Sequence, residues 1–378
     1  MEASLSEEES LEAGRMKASE SENIEIGVEK LQVKIKRVRV LQLLCSVSVL
    51  VVANAALSGS MEAPEWQRTL RDELVQLGKE AQELTGSFCP RIENPSALEF
   101  LRDFVLPNRP CIITGAMEEW PARRQWSNEY LTGRLGEKKV SVNVTPDGRG
   151  DAIVDDKFFV LPEERLMTFA QFLAELYREG NDDVLYLSHQ NDNLRSQIGE
   201  ALLNDVPPSI PFVDDALGHG PDAVNLWMGD SRSVTTLHKD HYENLYAVIR
   251  GEKIFTLYPP TSLPFLYPHP YGIRRYRKEG GAWRICELGE QEGEEVKSWI
   301  SVNPNAPDYD RHPLFEFASK TQVRVRPGEM LYLPSMWFHQ VEQSDDTVAV
   351  NYWYDMVYGD RYAYHKFIES MVRQAHIK

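Results

Sequence analysis

The sequence HKDHYENLYAVIRGEKIFTLYPP, residues 238–260, contains the clearest fold signal of this chain. Its apolar run LYAVI (245–249) is typical of a buried strand, the following RGE of a turn, and KIFTL (253–257) of a second strand. A later stretch, RPGEMLYLPSMWFHQV at 326–341, repeats this alternation of strand and Gly/Pro turn. Short strands at such close spacing are typical of a β-sandwich or jelly roll, so we expect a mainly β fold with flanking helices.

His238, Asp240 and His339 are the candidate metal ligands in these two stretches. Two imidazoles and one carboxylate form the facial triad of non-haem Fe(II) enzymes, which leaves coordination positions open for other ligands. Strand residues i and i+2 point the same way, so His238 and Asp240 can reach one metal together, while the third ligand comes from elsewhere in the fold. A bare His-x-Asp is usually polar surface. Here its position before two strands, and the LPxxWxH pattern around His339, favour a metal site.

The segment from about 222 to 356 resembles the JmjC branch of the Fe(II)/2-oxoglutarate oxygenases. The similar motifs are the two stretches quoted above and AVNYWYDM at 349–356. The resemblance extends upstream through NRPCIITGAMEEWPA (108–122) and VSVNVTPDGRGDAI (140–153). From about Met61 onward the chain resembles a subgroup of small hydroxylases with lysyl hydroxylase and peptidase activities. The resemblance implies a double-stranded β-helix, that is, a cupin-like jelly-roll barrel.

The resemblance also implies Fe(II) as the metal, with 2-oxoglutarate and O₂ as co-substrates. Lys253 matches the family's lysine for the far carboxylate of 2-oxoglutarate, the alternative being an exposed strand lysine. Thr235 matches the Thr/Ser ligand of the same carboxylate. Tyr186 matches a tyrosine whose hydroxyl reaches the co-substrate, with packing alone as the alternative. Asn244 and Asn351 resemble amides near the iron and co-substrate, unless they only satisfy backbone groups.

The function implied by the resemblance is (3S)-hydroxylation of a lysyl side chain, with developmentally regulated GTP-binding proteins as the substrate class. One alternative is an endopeptidase acting on methylated histone tails, but the sequence has no HExxH motif and no recognisable catalytic triad. Another is a histone lysine demethylase, although the sequence has no zinc-finger cysteine cluster. A non-catalytic cupin-like module would be expected to have lost a metal ligand.

The composition fits one large, acidic catalytic domain. The 378 residues are 42% hydrophobic and carry a net charge of −17, which disfavours nucleic acid as a direct partner and suits a basic protein substrate. The four cysteines show no zinc-binding spacing and are typical of free thiols in a reducing compartment. We therefore expect a protein of the cytoplasm, with the nucleus as a further compartment. The cysteines are Cys45, Cys89, Cys111 and Cys286.

Residues 1–60 are predicted to form a low-complexity extension. Residues 2–29 are acidic and typical of disorder, 30–39 are basic, and 40–57 are mostly apolar. This stretch of 18 residues is at the lower bound for a membrane span, and Gln42, Ser46, Ser48 and Asn54 weaken it. The stretch would anchor the protein in a membrane if it forms a signal anchor with the basic flank in the cytosol. We favour the other interpretation, in which the family's ordinary sequence begins at Met61 and the preceding residues are an isoform extension or a start-site artefact.

Three further parts are predicted: an N-terminal helical region at 61–105, the JmjC catalytic domain at 106–358 with its barrel core at about 222–356, and a C-terminal helix at 359–378. The polar, proline-rich residues 259–320 are predicted to form a surface excursion between barrel strands.

Local helix signals support this organisation. The spacing of apolar residues predicts an amphipathic helix at 64–84, and helices are predicted to begin at the N-caps Ser96, Ser127 and Thr168. The last of these is expected to run to residue 179. On the C-terminal helix an apolar stripe packs either on its own barrel or on a second copy of the chain, in a homodimer. The stripe consists of Tyr364, Phe367, Ile368 and Met371.

Overall fold

The structure is a computed structural model that describes residues 65–85, 88–288 and 295–375. The chain divides into two compact units, Met1–Glu73 and Leu74–Lys378. In the first unit the structure describes residues 65–73, which form the first turns of the helix Glu65–Thr85. All elements that follow this helix belong to the second unit. The predictions for residues 1–60, including the segment at 40–57, lie outside the described residues. The predicted domain boundaries stay predictions.

The helices begin where the sequence provides caps. Ser96 and Thr168 each form a capping box, with Glu99 and Gln171 respectively, and the Ser127 side chain accepts a hydrogen bond from a backbone N–H of its helix. The helix after Ser96 continues as a π-helical turn, Leu101–Val105, and the helix after Thr168 ends earlier than predicted. The α-helices of the described residues are α1 (Glu65–Thr85), α2 (Ala97–Phe100), α3 (Ala122–Gln125), α4 (Asn128–Leu135), α5 (Phe169–Leu176), α6 (Pro211–Leu217) and α7 (Asp360–Ala375).

No helix within these ranges has both the length and the apolar character needed to cross a bilayer. Shorter helical turns connect the larger elements. They are the π-helical turn Leu194–Ile198 and the 3₁₀ turns Gly199–Ala201, Pro260–Phe265 and Pro313–Phe317.

Strands account for more of the described residues than helices do. The strands are β1 (Arg91–Glu93), β2 (Cys111–Thr114), β3 (Lys139–Thr145), β4 (Arg149–Gly150), β5 (Ala152–Val154), β6 (Phe158–Leu161), β7 (Glu163–Thr168), β8 (Val184–Leu187), β9 (Ala223–Gly229), β10 (Val234–Lys239), β11 (Tyr242–Arg250), β12 (Lys253–Tyr258), β13 (Pro268–Glu279), β14 (Ala282–Glu287), β15 (Glu295–Ile300), β16 (Thr321–Val325), β17 (Met330–Leu333), β18 (Phe338–Gln343) and β19 (Thr347–Asp355).

Two of the sheets form the barrel. One has nine strands in the order β1-β2-β17-β11-β19-β9-β8-β3-β7, and the other has five in the order β16-β12-β18-β10-β4. Alternate side chains of both sheets meet in one buried apolar cluster, in which Tyr246 and Leu331 of the larger sheet join Phe255 and Val341 of the smaller one. This two-layer arrangement confirms the predicted mainly β, cupin-like jelly roll.

The segment between β12 and β16 is more ordered than the predicted surface excursion. Its strand β13 pairs with β14 and β15 and lies parallel to β6, which makes a third sheet. Only a few side chains of this sheet are buried, such as Tyr271, Tyr276 and Ile300. Its sequence is therefore polar, and no alternation of apolar residues predicted its strands. The third sheet carries Trp299 to the entrance of the barrel.

Helix α7 packs on its own barrel through only part of the predicted stripe. Ile368 contacts a buried apolar cluster of the barrel, and Val372 is buried, whereas Tyr364 is 51% exposed. The polar side chain Glu369 is also buried on the packed face. A homodimer through this helix stays a prediction.

Candidate metal centre and co-substrate pocket

The three predicted metal ligands converge at one end of the barrel. Strands β10 and β18 are antiparallel neighbours, and their register places His238 directly opposite His339. Asp240 follows the end of β10, with its Oδ2 3.7 Å from His238 Nε2 and 3.5 Å from His339 Nε2. The three ligand atoms lie within 4.8 Å of one another, and no other such group of three occurs in the described ranges.

Backbone hydrogen bonds fix the tautomers of both imidazoles. His238 Nδ1 lies 2.7 Å from the Thr236 carbonyl oxygen, and His339 Nδ1 lies 3.0 Å from that of Trp337. A carbonyl oxygen only accepts, so each Nδ1 carries the proton and each Nε2 keeps its lone pair. Two neutral imidazole nitrogens and a carboxylate oxygen are the donor set of a facial triad, so these residues fit Fe(II).

The charges of the triad depend on one another. Burial disfavours the charged form of His238, but the Asp240 carboxylate, the Thr236 carbonyl and the charge of Asp151 together outweigh burial and raise the pKa of this imidazole above its usual value. Burial and the neighbouring His238 lower the pKa of His339 to about 4. Burial acts to raise the pKa of Asp240, yet His238 brings it down to about 2. Asp240 is therefore anionic near neutral pH, as a metal ligand must be.

The turn before His339 holds the Asp240 backbone. Met336 has a left-handed φ of 67°, and its N–H donates to the Asp240 carbonyl oxygen at 2.9 Å. Buried Glu243 fastens the same turn, because its carboxylate accepts from the Tyr332 hydroxyl at 2.7 Å and from Ser335 N and Oγ at 3.1 and 2.7 Å. These donors explain why a carboxylate tolerates burial here. The sequence analysis did not foresee the role of Glu243.

Lys253 is buried, not exposed, and lies in the barrel interior. It is 1% exposed, and its Nζ donates to the Tyr186 hydroxyl at 2.7 Å and to Gln343 Oε1. Both partners are neutral, so burial lowers the pKa of Lys253 to about 7. The interior thus contains a cation with no anionic partner among the described residues, which favours an anionic ligand.

Gln343 was missed by the sequence analysis. Its Nε2 donates to the Asp230 carbonyl oxygen at 2.8 Å, which orients Oε1 toward Lys253. Its position on the strand could have indicated its role. Residues 339, 341 and 343 face the same way on β18, and Gln343 is opposite Lys253 in the register.

The metal cavity, as we call the cavity around the triad, is lined also by Thr235, Asn244 and Asn351. Asn351 Nδ2 donates to Asn244 Oδ1 at 3.1 Å, and Asn351 Oδ1 accepts from Trp227 Nε1 at 2.9 Å. The two predicted amides are therefore linked to each other by side-chain bonds. This fixes the orientation of the Asn244 amide at the cavity wall.

A second cavity, here called the side cavity, adjoins the metal cavity. The two share Thr235, Gln190 and Trp227 as lining residues, and the side cavity is lined also by Tyr186 and Asp151. Tyr186 thus lies between the predicted co-substrate lysine and the side cavity.

Two features of the entrance were not predicted. The ring of Trp299 is stacked on His238, with centroids 5.9 Å apart, and its buried Nε1 has no hydrogen-bond partner within the described part of the chain. Burial raises the pKa of the Asp151 carboxyl, while the charges of His238 and Arg275 act to lower it. Asp151 lies in the motif at 140–153, whose resemblance gave this residue no role, and Trp299 lies in the segment that was predicted to be a surface excursion.

No other histidine of the described ranges joins the group of metal ligands. His241 packs beside Tyr358 and Tyr362, and burial lowers the pKa values of His312 and His365. The fold and the donor set together define the class of the protein, a cupin-like JmjC domain.

Comparison with known proteins agrees with this class. The family model described as "Cupin-like domain" matches residues 96–360, and the chain belongs to this family. The human "Bifunctional peptidase and (3S)-lysyl hydroxylase JMJD7" is 42% identical over 308 residues, which are 80% of this chain and 96% of that protein. The "JmjC domain-containing protein E" of Dictyostelium discoideum is 36% identical over 79% of this chain and 93% of its own length. The "Lysine-specific demethylase JMJ32" of Arabidopsis thaliana is 39% identical over 79% and 91%. The predicted JmjC resemblance is confirmed.

Proposed function

We propose that this chain is an Fe(II)- and 2-oxoglutarate-dependent protein hydroxylase that places a hydroxyl group on C3 of a lysyl side chain. The observation that carries the proposal is the convergence of His238, Asp240 and His339 in the barrel that also buries the cation Lys253. The similarity to a protein named (3S)-lysyl hydroxylase, over most of both chains, supports the choice of reaction.

His238, Asp240 and His339 would hold the metal through Nε2, Oδ2 and Nε2. Bound Fe(II), together with O₂ and 2-oxoglutarate, would supply the oxidising power to replace hydrogen by hydroxyl on an unactivated carbon. The protein orients the three metal ligands. The Thr236 and Trp337 carbonyls keep both Nε2 lone pairs available, and the turn at Met336 fixes the Asp240 backbone.

Lys253, Thr235 and Tyr186 would bind the far carboxylate of 2-oxoglutarate. The Lys253 ammonium is buried with two neutral neighbours, so a carboxylate there gains a charge-assisted hydrogen bond that water cannot screen. The linked amides of Asn244 and Asn351 would hold the metal-proximal part of the co-substrate.

The proposed substrate is a lysine of a GTP-binding protein of the developmentally regulated type, met in the cytoplasm or nucleus. The net charge of −17 supports a basic partner. The metal centre would also be the candidate site for a peptidase reaction. Burial raises the pKa values of the Cys89 and Cys111 thiols, to about 12 for Cys89, so neither is an activated nucleophile.

The test is mass spectrometry of the GTP-binding protein after incubation with the enzyme, Fe(II), 2-oxoglutarate and ascorbate. We expect a gain of one oxygen atom on a lysine, with succinate formed in proportion. A cleaved chain would indicate the peptidase instead, and loss of a methyl group from a methylated histone lysine would indicate the demethylase. The His339→Ala variant is the matched negative control for all three reactions.

The low pKa of Lys253 predicts a pH dependence of co-substrate binding. With a pKa of about 7, this lysine is mostly neutral at higher pH in the free protein, whereas a bound dicarboxylate would keep it charged. Binding above neutral pH therefore takes up a proton, and the affinity for 2-oxoglutarate falls as pH rises, by up to about tenfold per pH unit.

Calorimetry in two buffers of different ionisation enthalpy measures this proton uptake directly. The control is Lys253→Arg, since a guanidinium stays protonated and should remove the buffer dependence. Equal binding enthalpies for the wild type in both buffers at pH 8.5, or an affinity independent of pH, would contradict the prediction.

A further inference from the structure

We propose that Asp151 is the residue that binds the ε-ammonium of the substrate lysine in the side cavity. The inference rests on the proposed function, because it assigns a recognition residue to the lysyl substrate. It concerns the substrate and not the metal or the 2-oxoglutarate.

The reaction itself sets the distance at which such a residue is needed. Hydroxylation at C3 places the β-carbon of the lysine at the metal, and the ammonium is then four bonds away, or roughly 5 Å along an extended side chain. A lysyl ammonium that leaves water needs an anionic acceptor, since an unpaired buried charge is costly. The acceptor must therefore lie in or next to the metal cavity.

Two carboxylates line the metal and side cavities, namely Asp240 and Asp151. Asp240 is assigned to the metal. Glu243 lies close by, but its oxygens already accept three hydrogen bonds. Of these three carboxylates, Asp151 is the one that lines a cavity and has no role in binding the metal.

The carboxylate of Asp151 has no hydrogen bond and no ion pair with any described residue. Its charge interacts with those of His238 and Arg275, which places it close to the triad. Other acidic side chains on the adjoining elements are paired: Asp183 with Arg165 and Lys278, and Asp192 with Arg195. An ammonium entering the side cavity would give Asp151 its partner.

The backbone holds Asp151 in place for this role. Strand β4 pairs in parallel with β10 at Val234 and Thr235. The residues that follow these two strand segments are also hydrogen-bonded, because Thr236 Oγ1 donates to the Asp151 carbonyl oxygen at 2.7 Å. Asp151 has a left-handed φ of 52°, a conformation that aspartate and asparagine adopt more readily than other residues with a β-carbon. Its position is thus tied to the strand that carries His238.

Charge balance gives a reason for selectivity. Fe(II), Asp240, Lys253 and a dianionic 2-oxoglutarate together have no net charge, so Asp151 in its ionised form gives the loaded site one negative charge; burial raises its pKa, and an ammonium beside it would favour that ionised form. A lysyl ammonium neutralises this charge, whereas an apolar side chain of the same length leaves a carboxylate partly buried without a partner. The site would therefore distinguish lysine from norleucine.

The variant Asp151→Asn tests the proposal, since it removes the charge and keeps both the shape and the tolerance of a left-handed φ. The matched control is Asp155→Asn, which changes an exposed aspartate with φ of 53° in the same segment. The probes are the blocked tripeptide Ala-Lys-Ala and its norleucine twin, titrated anaerobically by calorimetry into protein loaded with Fe(II) and 2-oxoglutarate, so that no turnover occurs.

We expect the wild type and Asp155→Asn to bind the lysine peptide on the order of tenfold or more tighter than the norleucine peptide, and Asp151→Asn to bind both equally. With the GTP-binding protein as substrate, Asp151→Asn should raise KM by a similar factor while the affinity for 2-oxoglutarate stays unchanged.

A lysine preference that survives in Asp151→Asn would overturn the proposal, as would a wild type without any preference. A lower Tm of Asp151→Asn, with the preference intact, would show that Asp151 has a structural role only. Failure of the proposed function can be distinguished from failure of this proposal. In that case the wild type would bind no 2-oxoglutarate or would hydroxylate no lysine, and the Asp151→Asn variant would behave in the same way.

Discussion

Replacing Asp240 with alanine is expected to abolish turnover of 2-oxoglutarate, and so is His339→Ala. Asp240 Oδ2 lies within 3.7 Å of both imidazole Nε2 atoms and supplies the only negative charge of the triad. Loss of a partner that merely supports a metal ligand already costs about 10–100-fold in affinity or activity, so loss of a ligand should cost on the order of 100-fold or more.

Metal binding and succinate formation should fall together in Asp240→Ala. The fold should remain, because the Asp240 carbonyl, which accepts from Met336 N, is kept in the variant. Glu369→Gln is a suitable control: it removes a buried carboxylate that contacts the neighbouring Lys239 at 3.4 Å but is no candidate ligand. Wild-type turnover by Asp240→Ala would refute the assignment of the triad.

Replacing Lys253 with methionine is expected to weaken 2-oxoglutarate binding far more than it disturbs folding. Methionine nearly fills the space of the buried side chain but removes the ammonium. A hydrogen bond to a charged group contributes about 1.5–3 kcal/mol, which corresponds to roughly one to two decades in affinity.

The free energy of unfolding without co-substrate should change little or even rise in Lys253→Met, because a buried ammonium with only neutral neighbours is itself costly. Calorimetric titration of 2-oxoglutarate and a thermal melt measure the two effects separately. An unchanged affinity for 2-oxoglutarate would move its binding to another cation. A loss of folding would show that Lys253 is mainly structural.

The parts of the site that sequence predicts best are those that depend on local geometry. His238 and Asp240 point the same way because they are two residues apart at a strand end, and helix starts at Ser96, Ser127 and Thr168 follow from side-chain caps next to them. The fold class was predictable for the same reason, since strand and turn signals recur along the chain.

The parts that could not be predicted depend on pairing between distant segments. Gln343 meets Lys253 only through the register of β12 with β18, and no local pattern fixes that register. Trp299 reaches the site from the third sheet, whose polar sequence looked like a loop, and Asp151 reaches it from the end of β4, which pairs with β10. The family resemblance named the residues that bind the metal and the co-substrate, but it carried no information on the side chains that support them.

The direct opposition of His238 and His339 has a consequence for how the protein folds. The two residues are 101 positions apart and become neighbours only when β10 pairs with β18. A contact between such distant segments forms late, because closing a long loop costs entropy before the contact is made. The metal should therefore have little affinity for partly folded chains and should stabilise the closed barrel alone. Its main kinetic effect would then be to slow unfolding, leaving the rate of folding nearly unchanged.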